Sequence, residues 1–299
     1  MDGTYSLRGP LALTGAAIDR AGEHRGDDEW LTTAWHAPTT RVLVVADGAA
    51  PVDDGRLVLV PPSEAPAGER YLLGVVDDTV FFAVHTPAPH PDSRAVGLRK
   101  ASLVLDDRDG GLLVHAIALA NWHATHQHCA RCGTRTDVLQ AGHIRRCPRD
   151  GSEHYPRTDP AVIVLVTDGQ DRCLLGRQVD WPAGRYSTLA GFVEPGETPE
   201  QAVAREVFEE ARVTVTSCTY AGSQPWPFPS NLMLGYYGRA NGEAPEPDGT
   251  EMSDVRWFSR DDLAAAITTG EVRVPPSVAI SRRLIEGWYG GDLPVNASR

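Results

Sequence analysis

The stretch that most constrains the fold is residues 191–213, GFVEPGETPEQAVAREVFEEARV. Thr198 can cap a helix, Pro199 suits its first position, and Gln201 can close a capping box, so a helix is predicted to begin at residue 199. Apolar side chains recur at helical spacing and occupy one face: Val203, Ala204, Val207, Phe208 and Ala211. The stretch therefore predicts a short amphipathic helix whose apolar face packs on a core.

The opposite face of this helix carries three carboxylates. At about 100° per residue, Glu206, Glu209 and Glu210 lie on one side. The like-charge pair Glu206 and Glu210 costs about 0.2–0.5 kcal/mol when left alone, and Arg205 offsets only part of that cost. A bound Mg²⁺ or Mn²⁺ would remove the repulsion, because such cations are held by a few carboxylates together with substrate phosphates. The pattern therefore predicts metal-assisted attack at a phosphate.

A glutamate triplet alone more often marks a solvated helix face, but its surroundings favour a metal site. The stretch is similar to the Nudix box, G-x5-E-x7-R-E-U-x-E-E-x-G-U with U aliphatic, at every fixed position except residue 212. The matching residues are Gly191, Glu197, Arg205, Glu206, Val207, Glu209, Glu210 and Val213. Where the family has a helix-ending glycine this chain has Arg212. The arginine either adopts a left-handed conformation at a cost of about 1 kcal/mol or leaves the helix by another path.

Length and composition predict more than one domain and limit the partners. A chain of 299 residues with 41% hydrophobic residues can form two packed cores. Its net charge of −12 argues against a nonspecific nucleic-acid binder or a protein of anionic membrane surfaces. No apolar segment approaches the roughly 18 residues of a membrane span, and the N-terminus lacks a signal core. We therefore expect a cytoplasmic protein without membrane contact.

The pattern of elements divides the chain into three regions. Residues 1–125 contain short β-like runs separated by Gly, Pro and Asp turns and end in an amphipathic helix, which predicts a small α/β domain. Residues 126–156 hold a cysteine cluster, and residues 157–299 combine strands with the glutamate helix. We therefore predict an α+β protein in which a Nudix fold, a mixed β-sheet sandwiched by helices, follows a zinc ribbon and the N-terminal α/β domain.

The cysteine cluster has the spacing of a zinc ribbon, Cys-x2-Cys-x14-Cys, with a carboxylate where a fourth ligand is expected. The favoured interpretation is a structural zinc ion held by four side chains: Cys129, Cys132, Cys147 and Asp150. His154 or His143 is the alternative fourth ligand. A ribbon held by packing alone, without metal, is a further alternative.

A second motif, SQPWPFPSN at residues 223–231, lies beyond the helix. Three prolines alternating with two aromatic residues predict a stiff loop rather than a helix or a central strand. Rigid aromatic side chains beside an amide suit flat polar rings, although a proline-braced loop that fills the core is the alternative. The run SQPWPFPxS downstream of a Nudix box is similar to the signature of the NAD(H) pyrophosphatases, the NudC-type enzymes that also remove NAD caps from RNA 5′ ends.

This resemblance implies a set of site residues. The catalytic cations would bind the carbonyl of Ala190 and four carboxylates: Glu206, Glu209, Glu210 and Glu251. Glu210 is favoured over Glu209 as the base. The dinucleotide pocket would contain Gln224, Pro225, Trp226, Pro227, Phe228, Pro229, Ser230 and Asn231. Phe192 and Tyr155 would stack on the nicotinamide, with Tyr155 supplied by the partner subunit of a homodimer. Ser281 and, on a looser match, Arg99 would also line the pocket.

The expected reaction is hydrolysis of the pyrophosphate bond of NADH, NAD⁺ or NAD-capped RNA. It would give NMN(H) with AMP or a 5′-monophosphate RNA, with Mg²⁺ or Mn²⁺ as the catalytic cation and Zn²⁺ as the structural one. A Nudix hydrolase of another nucleoside diphosphate, such as ADP-ribose or a dinucleoside polyphosphate, is the first alternative. A binding module without catalysis is the second, and the complete set of box carboxylates disfavours it.

Overall fold

The computed structural model describes residues 5–86, 92 and 94–295. Its helices are α1 Asp28–His36, α2 Leu98–Ala101, α3 Asp107–Thr125, α4 Pro199–Ala211, α5 Arg260–Thr269 and α6 Ile280–Tyr289. Its strands are β1 Arg41–Val45, β2 Ala49–Asp53, β3 Arg56–Leu57, β4 Glu69–Val76, β5 Thr79–His85, β6 Ala95–Gly97, β7 Asp137–Leu139, β8 Ile144–Arg146, β9 Glu153–His154, β10 Asp159–Thr167, β11 Cys173–Gln178, β12 Leu189–Phe192, β13 Val215–Trp226, β14 Asn231–Ala240 and β15 Met252–Phe258. Within these residues, none of the helices has the length and apolar character needed to cross a bilayer.

The chain forms two compact units. The C-terminal unit combines the described residues of 1–11, 159–224 and 231–299, and the N-terminal unit combines residues 12–158 and 225–230. Each unit is therefore built from segments that are distant in sequence. The division into domains at residues 125 and 156 stays a prediction.

The C-terminal unit is built on a mixed sheet with the strand order β13-β14-β10-β11-β15, and β12 pairs with β10. Strand β10 runs parallel to β14 and antiparallel to β12. Because side chains alternate along a strand, residues 162, 164 and 166 of β10 pack in the core beside α4, whereas residues 163 and 165 pack with α5 and α6. A mixed sheet between helices confirms the predicted fold class and positions α4 against the strands that carry the candidate site.

The segment at residues 5–11 belongs to the C-terminal unit, although it comes first in the sequence. The Tyr5 ring lies 5.4 Å from the Tyr237 ring, and the Tyr237 hydroxyl donates to the carbonyl of Ser6 at 3.2 Å. Gly287 in α6 permits this approach, since a Cβ there would lie 2.2 Å from the Ser6 carbonyl oxygen. Leu7 packs against the same core. The first described residues thus complete the core of the last part of the chain.

The N-terminal unit contains three small sheets, with strand orders β1-β5-β4, β3-β2-β6 and β7-β8-β9. The third is the ribbon sheet, and a buried arginine connects it to α3. Arg145 donates to Nδ1 of His123 at 2.8 Å and to the Thr136 hydroxyl at 2.8 Å, and all three side chains are buried. Since a buried guanidinium needs hydrogen-bond acceptors, these contacts fix the ribbon on the helix.

One feature of the proline-rich run differs from the sequence prediction. The run was expected to be a loop from Pro225 onward, but β13 continues through Pro225 and Trp226, and the turn covers only residues 227–230. Strand β13 lies at the edge of its sheet. A proline is tolerated there because one side of an edge strand needs no N–H donor. The loop prediction was therefore wrong for two residues, since the rule against proline applies only to central strands.

Candidate active site

The glutamate helix begins and ends where its sequence predicts. The Thr198 hydroxyl accepts the Gln201 N–H at 3.3 Å, and the Gln201 side chain accepts the Thr198 N–H at 2.8 Å, which completes the capping box. At the other end Arg212 has φ 56° and ψ 25°, and its N–H donates to the Phe208 carbonyl at 2.9 Å. Of the two exits open to Arg212, the chain takes the left-handed one, at the conformational cost of a side chain in that region.

Arg205 organises the start of the site through five contacts. Its Nε and Nη2 donate to the two carboxylate oxygens of Glu197, both at 2.8 Å, and Nη2 also donates to the Phe192 carbonyl at 2.9 Å. Its Nη1 lies 2.9 Å from Glu206 and 3.0 Å from Glu209. The hydrogen bonds from Arg205 lower the pKa of Glu197 to about 2. Arg205 thus fastens the loop before α4 to two of the candidate metal-binding glutamates.

Glu210 is the most unusual group of the site. Its side chain is only 3% exposed, and Oε2 has no hydrogen-bond partner among the described residues. Burial raises the pKa of Glu210 to about 8, and the negative charge of Glu206 adds to the rise, while the Ala190 N–H opposes it. The negative charge of Glu251 raises the pKa of Glu210 further. A buried carboxyl group with an unpaired oxygen is a candidate ligand for a cation, because burying such a group without a partner is costly.

The backbone of β12 presents a further oxygen to the site. Val193 N–H donates to the Pro160 carbonyl, and hydrogen-bonded pairs alternate along an antiparallel ladder. Ala190, which lies opposite Ile163, therefore directs its N–H and C=O away from β10. At Gly191 a Cβ would lie 1.9 Å from the Glu206 carboxylate carbon, so only glycine allows Glu206 to lie against this strand. This arrangement supports Ala190 as a carbonyl ligand beside Glu206.

Glu251 lies in a loop that Asp248 holds. The Asp248 carboxylate accepts the N–H of Glu251 at 3.1 Å and of Met252 at 2.7 Å. Hydrogen bonds from Thr250 and these N–H groups lower the pKa of Asp248 to about 2. The sequence prediction missed Asp248. An Asp before Gly-Thr is a turn signal, but such a signal does not reveal which candidate site residue the turn would position.

These residues fit divalent cations. The donors are carboxylate and carbonyl oxygens, the set that Mg²⁺ and Mn²⁺ prefer, and the unpaired oxygen of Glu210 supplies a position for one. Glu209 and Glu251 are exposed and face solvent, where a substrate can bind. Burial raises the pKa of Glu206 as well, and the charges of Glu209 and Glu251 add to it. The site therefore has an excess of negative charge that cations would offset.

The zinc-ribbon residues converge without any need for rearrangement. One ligand atom from each of four side chains lies within 4.8 Å of the others: Cys129, Cys132, Cys147 and Asp150. The Cys132 and Cys147 sulfurs are 3.5 Å apart, and the Cys129 sulfur is 3.6 Å from Asp150 Oδ2. A tetrahedral zinc site has ligand separations of about 3.5 Å. Of the alternatives, His143 instead binds the Leu72 carbonyl at 2.9 Å. The favoured ligand set is thus the one that the structure brings together.

The aromatic loop contacts Arg99 within the N-terminal unit. The Arg99 guanidinium lies 4.2 Å from the Phe228 ring centroid and 5.8 Å from that of Trp226. The two rings pack edge to face at 5.2 Å. Arg99, which the sequence associated with the pocket on a loose match, therefore lies with the predicted aromatic residues rather than elsewhere in the unit. A cation above aromatic rings can also meet a phosphate.

The remaining predicted residues fall into two groups. Phe192 and Tyr155 expose about half or more of their surface, 54% and 63%, which suits stacking on a ligand. Gln224 and Ser281 are buried. The Gln224 amide donates to the Val278 carbonyl at 2.8 Å and accepts a backbone N–H from α6 at 2.9 Å, so its side chain holds the start of that helix. In this geometry the Gln224 side chain supports α6, and its predicted contact with the substrate stays a prediction.

Three family models match successive parts of the chain. Residues 26–122 match an NADH pyrophosphatase-like rudimentary NUDIX domain, residues 124–155 an NADH pyrophosphatase zinc ribbon domain, and residues 157–277 a NUDIX domain. The NAD-capped RNA hydrolase NudC of Mycobacterium bovis strain BCG Pasteur 1173P2 is 38% identical over 95% of this chain and 96% of its own length. The chain belongs to the NudC family of Nudix hydrolases. The ribbon match and the converging cysteines together indicate a structural zinc site.

Two further NAD-capped RNA hydrolases agree with the NudC family assignment. The NudC of Mycobacterium tuberculosis strain H37Rv has the same 38% identity over 95% of this chain and 96% of its own. The human NAD-capped RNA hydrolase NUDT12 is 40% identical over 69% of this chain and 45% of its own. A crystal structure of a NUDIX hydrolase from Nitrosomonas europaea covers 56% of this chain and 95% of its own, with a TM-score of 0.44 and 22% identity. The sequence prediction had missed that the N-terminal region is a rudimentary Nudix domain, because that region has no glutamate box to reveal it.

Proposed function

We propose that this NudC-family protein hydrolyses the pyrophosphate bond of NADH or NAD⁺ to NMN(H) and AMP, and removes NAD caps from RNA 5′ ends. The observation that carries the proposal is the buried Glu210, whose unpaired oxygen lies beside Glu206 and the Ala190 backbone. The chain also resembles a named NAD-capped RNA hydrolase over nearly its whole length. The exposed Phe192 ring, two residues after Ala190, supports a flat aromatic ligand next to these groups.

Mg²⁺ or Mn²⁺ would be held by the Ala190 carbonyl and by four carboxylates: Glu206, Glu209, Glu210 and Glu251. Bound there, the cations would neutralise phosphate charge and lower the pKa of a bound water. Arg205 keeps Glu206 and Glu209 in position through its contacts at 2.9 and 3.0 Å. Asp248 keeps the Glu251 loop in position.

Glu210 is proposed as the base that takes the proton of the attacking water. Burial raises its pKa to about 8, so without cations it holds a proton at neutral pH. Cations nearby favour the carboxylate, which brings the pKa toward the range in which a group can accept a proton during turnover. Glu209 is exposed and paired with Arg205, which makes it the weaker choice.

The NAD preference rests on the aromatic groups. Trp226 and Phe228 pack edge to face, the Arg99 guanidinium lies over the Phe228 ring, and Tyr155 exposes its ring on the ribbon. We propose that Tyr155 acts on the nicotinamide of a partner subunit, so that the protein is a homodimer. The five free cysteines fit a reducing compartment, and we propose the cytoplasm.

The proposal is tested with purified protein, Mn²⁺ or Mg²⁺, and separate samples of NADH, NAD⁺, NAD-capped RNA and ADP-ribose. In H₂¹⁸O the products are identified by mass, which shows the bond cleaved and the phosphorus attacked. NMN(H) with AMP or 5′-monophosphate RNA is expected, with the highest kcat/KM for a nicotinamide substrate. A higher kcat/KM for ADP-ribose would instead favour the alternative Nudix activity.

A further inference from the structure

A pair of arginines lies side by side on the C-terminal unit, outside the predicted site. Arg185 and Arg273 form a parallel backbone bridge, with Tyr186 N–H donating to the Arg273 carbonyl at 3.0 Å and Arg273 N–H donating to the Gly184 carbonyl at 2.6 Å. Both side chains are exposed. Like charges at directly paired positions of neighbouring strands repel each other. The backbone therefore places two exposed arginines side by side, where an anion can contact both.

No carboxylate of the described residues pairs with these two arginines. The nearest acidic groups along the chain are Asp180 and Glu271, and Glu271 is paired with Arg256 at 2.9 Å. Other arginines of this unit do form salt bridges, Arg256 with Asp254 and Arg260 with Asp171. The chain has 40 acidic and 28 basic residues, so internal partners are abundant. Arg185 and Arg273 are therefore available to an anion from outside the chain.

An aromatic ring completes the surface, which we call the arginine platform (Trp181, Arg185 and Arg273). The Arg185 guanidinium lies 4.6 Å from the Trp181 ring centroid, and the Arg273 guanidinium donates to the Ala183 carbonyl. Gly184 has φ 78°, and a Cβ there would lie 2.5 Å from the Glu271 carbonyl oxygen. The turn is thus tightly held, and a partly exposed tryptophan beside two cations is a typical stacking surface for single-stranded nucleic acid.

The platform is joined to the candidate active site by two short backbone paths. From Arg185 the chain reaches Ala190 in five residues, a distance of about 17 Å along an extended strand. From Trp181 the chain reaches Val179, whose N–H donates to the Glu251 carbonyl at 2.9 Å. Both paths end at proposed ligands of the catalytic cations. A strand whose 5′ diphosphate lay at the cations could therefore reach the platform with nucleotides that follow the cap.

We propose that the arginine platform binds the RNA strand downstream of the NAD cap, with backbone phosphates at Arg185 and Arg273 and a base stacked on Trp181. This rests on the proposed function, and it extends it from the cap to the body of the substrate. It also accounts for RNA binding by an acidic protein, since the positive charge is placed locally rather than spread over the surface.

The test compares NADH with NAD-capped single-stranded RNAs of increasing length, using the zinc-loaded full chain and the R185Q/R273Q variant. For capped RNA, kcat/KM is expected to fall at least about tenfold at low salt, mostly through KM, while NADH turnover changes less than about twofold. The slope of log(kcat/KM) against log salt should become shallower by about 1.4, because each lost phosphate contact contributes about 0.7 for single strands. Trp181→Leu should weaken RNA turnover without changing that slope.

The matched control is R131Q/R135Q, which removes the same charge from exposed arginines of the zinc ribbon. It should leave RNA turnover unchanged. Arg273→Lys keeps the charge and should retain most of the salt slope. An equal loss on NADH and capped RNA, an equal loss in the control variant, or no loss at all would each overturn the proposal.

A second measurement separates this proposal from the proposed function. Anisotropy of a labelled 5′-monophosphate RNA reports binding even if no substrate is cleaved. Wild-type protein that hydrolyses neither NADH nor capped RNA would refute the proposed function, while weaker RNA binding by R185Q/R273Q, but not by R131Q/R135Q, would still support the platform. Equal binding by wild type and both variants would overturn it.

Discussion

The zinc cluster and the glutamate site are both candidate metal-binding sites, but they are built in opposite ways. The zinc ligands come from two turns within residues 129–150, and their atoms already lie within 4.8 Å of one another. The glutamate site draws on β12, α4 and the loop before β15, and among the described residues its carboxylates form no comparably convergent group. The four zinc-ribbon side chains already lie together, whereas Glu209 and Glu251 of the glutamate site stay exposed to solvent.

The two sites also differ in their effect on stability: the zinc cluster contributes to it, and the glutamate site lowers it. A closed site with four ligands gains folding free energy from its metal. The glutamate site keeps a buried carboxyl with an unpaired oxygen and a helix that ends in a left-handed arginine, and both cost stability in the free protein. Proteins commonly accept such costs where function requires them.

The largest expected effect comes from Glu210→Gln, which should reduce kcat for NADH about a thousandfold by removing the base. The free energy of unfolding of the metal-free protein should not fall, since an uncharged amide replaces a carboxyl whose pKa is about 8. Steady-state kinetics and urea unfolding measure the two effects. Glu209→Gln, at an exposed position, is the matched control and should keep more activity. A Glu210→Gln enzyme with most of its activity would refute the assignment of the base.

Cys147→Ser should lower stability strongly and affect catalysis little, the reverse of Glu210→Gln. Loss of a buried thiolate ligand should release the zinc and lower the free energy of unfolding by about 3 kcal/mol, with a much smaller effect on kcat of the folded protein. Metal analysis and urea unfolding provide the measurement. Cys218→Ser, outside the cluster, is the control and should keep one zinc per chain. Full zinc content in Cys147→Ser would contradict the ligand set.

Stability of the metal-free protein should fall as pH rises from about 5 to 8. Over this range the folded protein keeps a proton on Glu210, whose pKa is about 8, while the unfolded chain has lost it, so the folded state binds more protons. Between pH 5 and 8 the wild type should lose about 3 kcal/mol more of its free energy of unfolding than Glu210→Gln loses, measured by urea unfolding at several pH values. Saturating Mg²⁺ should reduce this loss of stability with rising pH. The same pH slope in both proteins would show that other groups cause the change.

The smallest expected effect is a gain in stability from Arg212→Gly. Glycine adopts φ near 56° without strain, so the free energy of unfolding should rise by about 0.5–1 kcal/mol, with kcat unchanged. Gly290→Arg is the matched control, because Gly290 ends α6 at φ 82° with open space around its Cβ position. That substitution should lower stability by a similar amount. A loss of stability in Arg212→Gly would mean that the contact of Arg212 with the Phe208 ring outweighs the strain.

The parts of the molecule that could be predicted depend on neighbouring residues. The start of α4 follows from Thr198 and Gln201, and the zinc ligands follow from spacing within two turns. The box glutamates share one short helix, so the helical repeat alone places them on one side. In each case a few neighbouring residues are enough to predict the structure.

The parts that could not be predicted depend on pairing between distant segments. The edge position of β13 decides that Pro225 can belong to a strand, and the ladder between β10 and β12 decides where the Ala190 carbonyl points. Neither follows from local pattern. The internal hydrogen bonds of Gln224 depend equally on α6, more than fifty residues later.

The position of residues 5–11 has a consequence for how the protein is made. The ribosome makes residues 5–11 more than 220 residues before Tyr237 and Gly287, which form part of their packing surface. Residues 5–11 must therefore stay unpacked while the intervening chain is translated. The core of the C-terminal unit then closes only after α6 has left the ribosome.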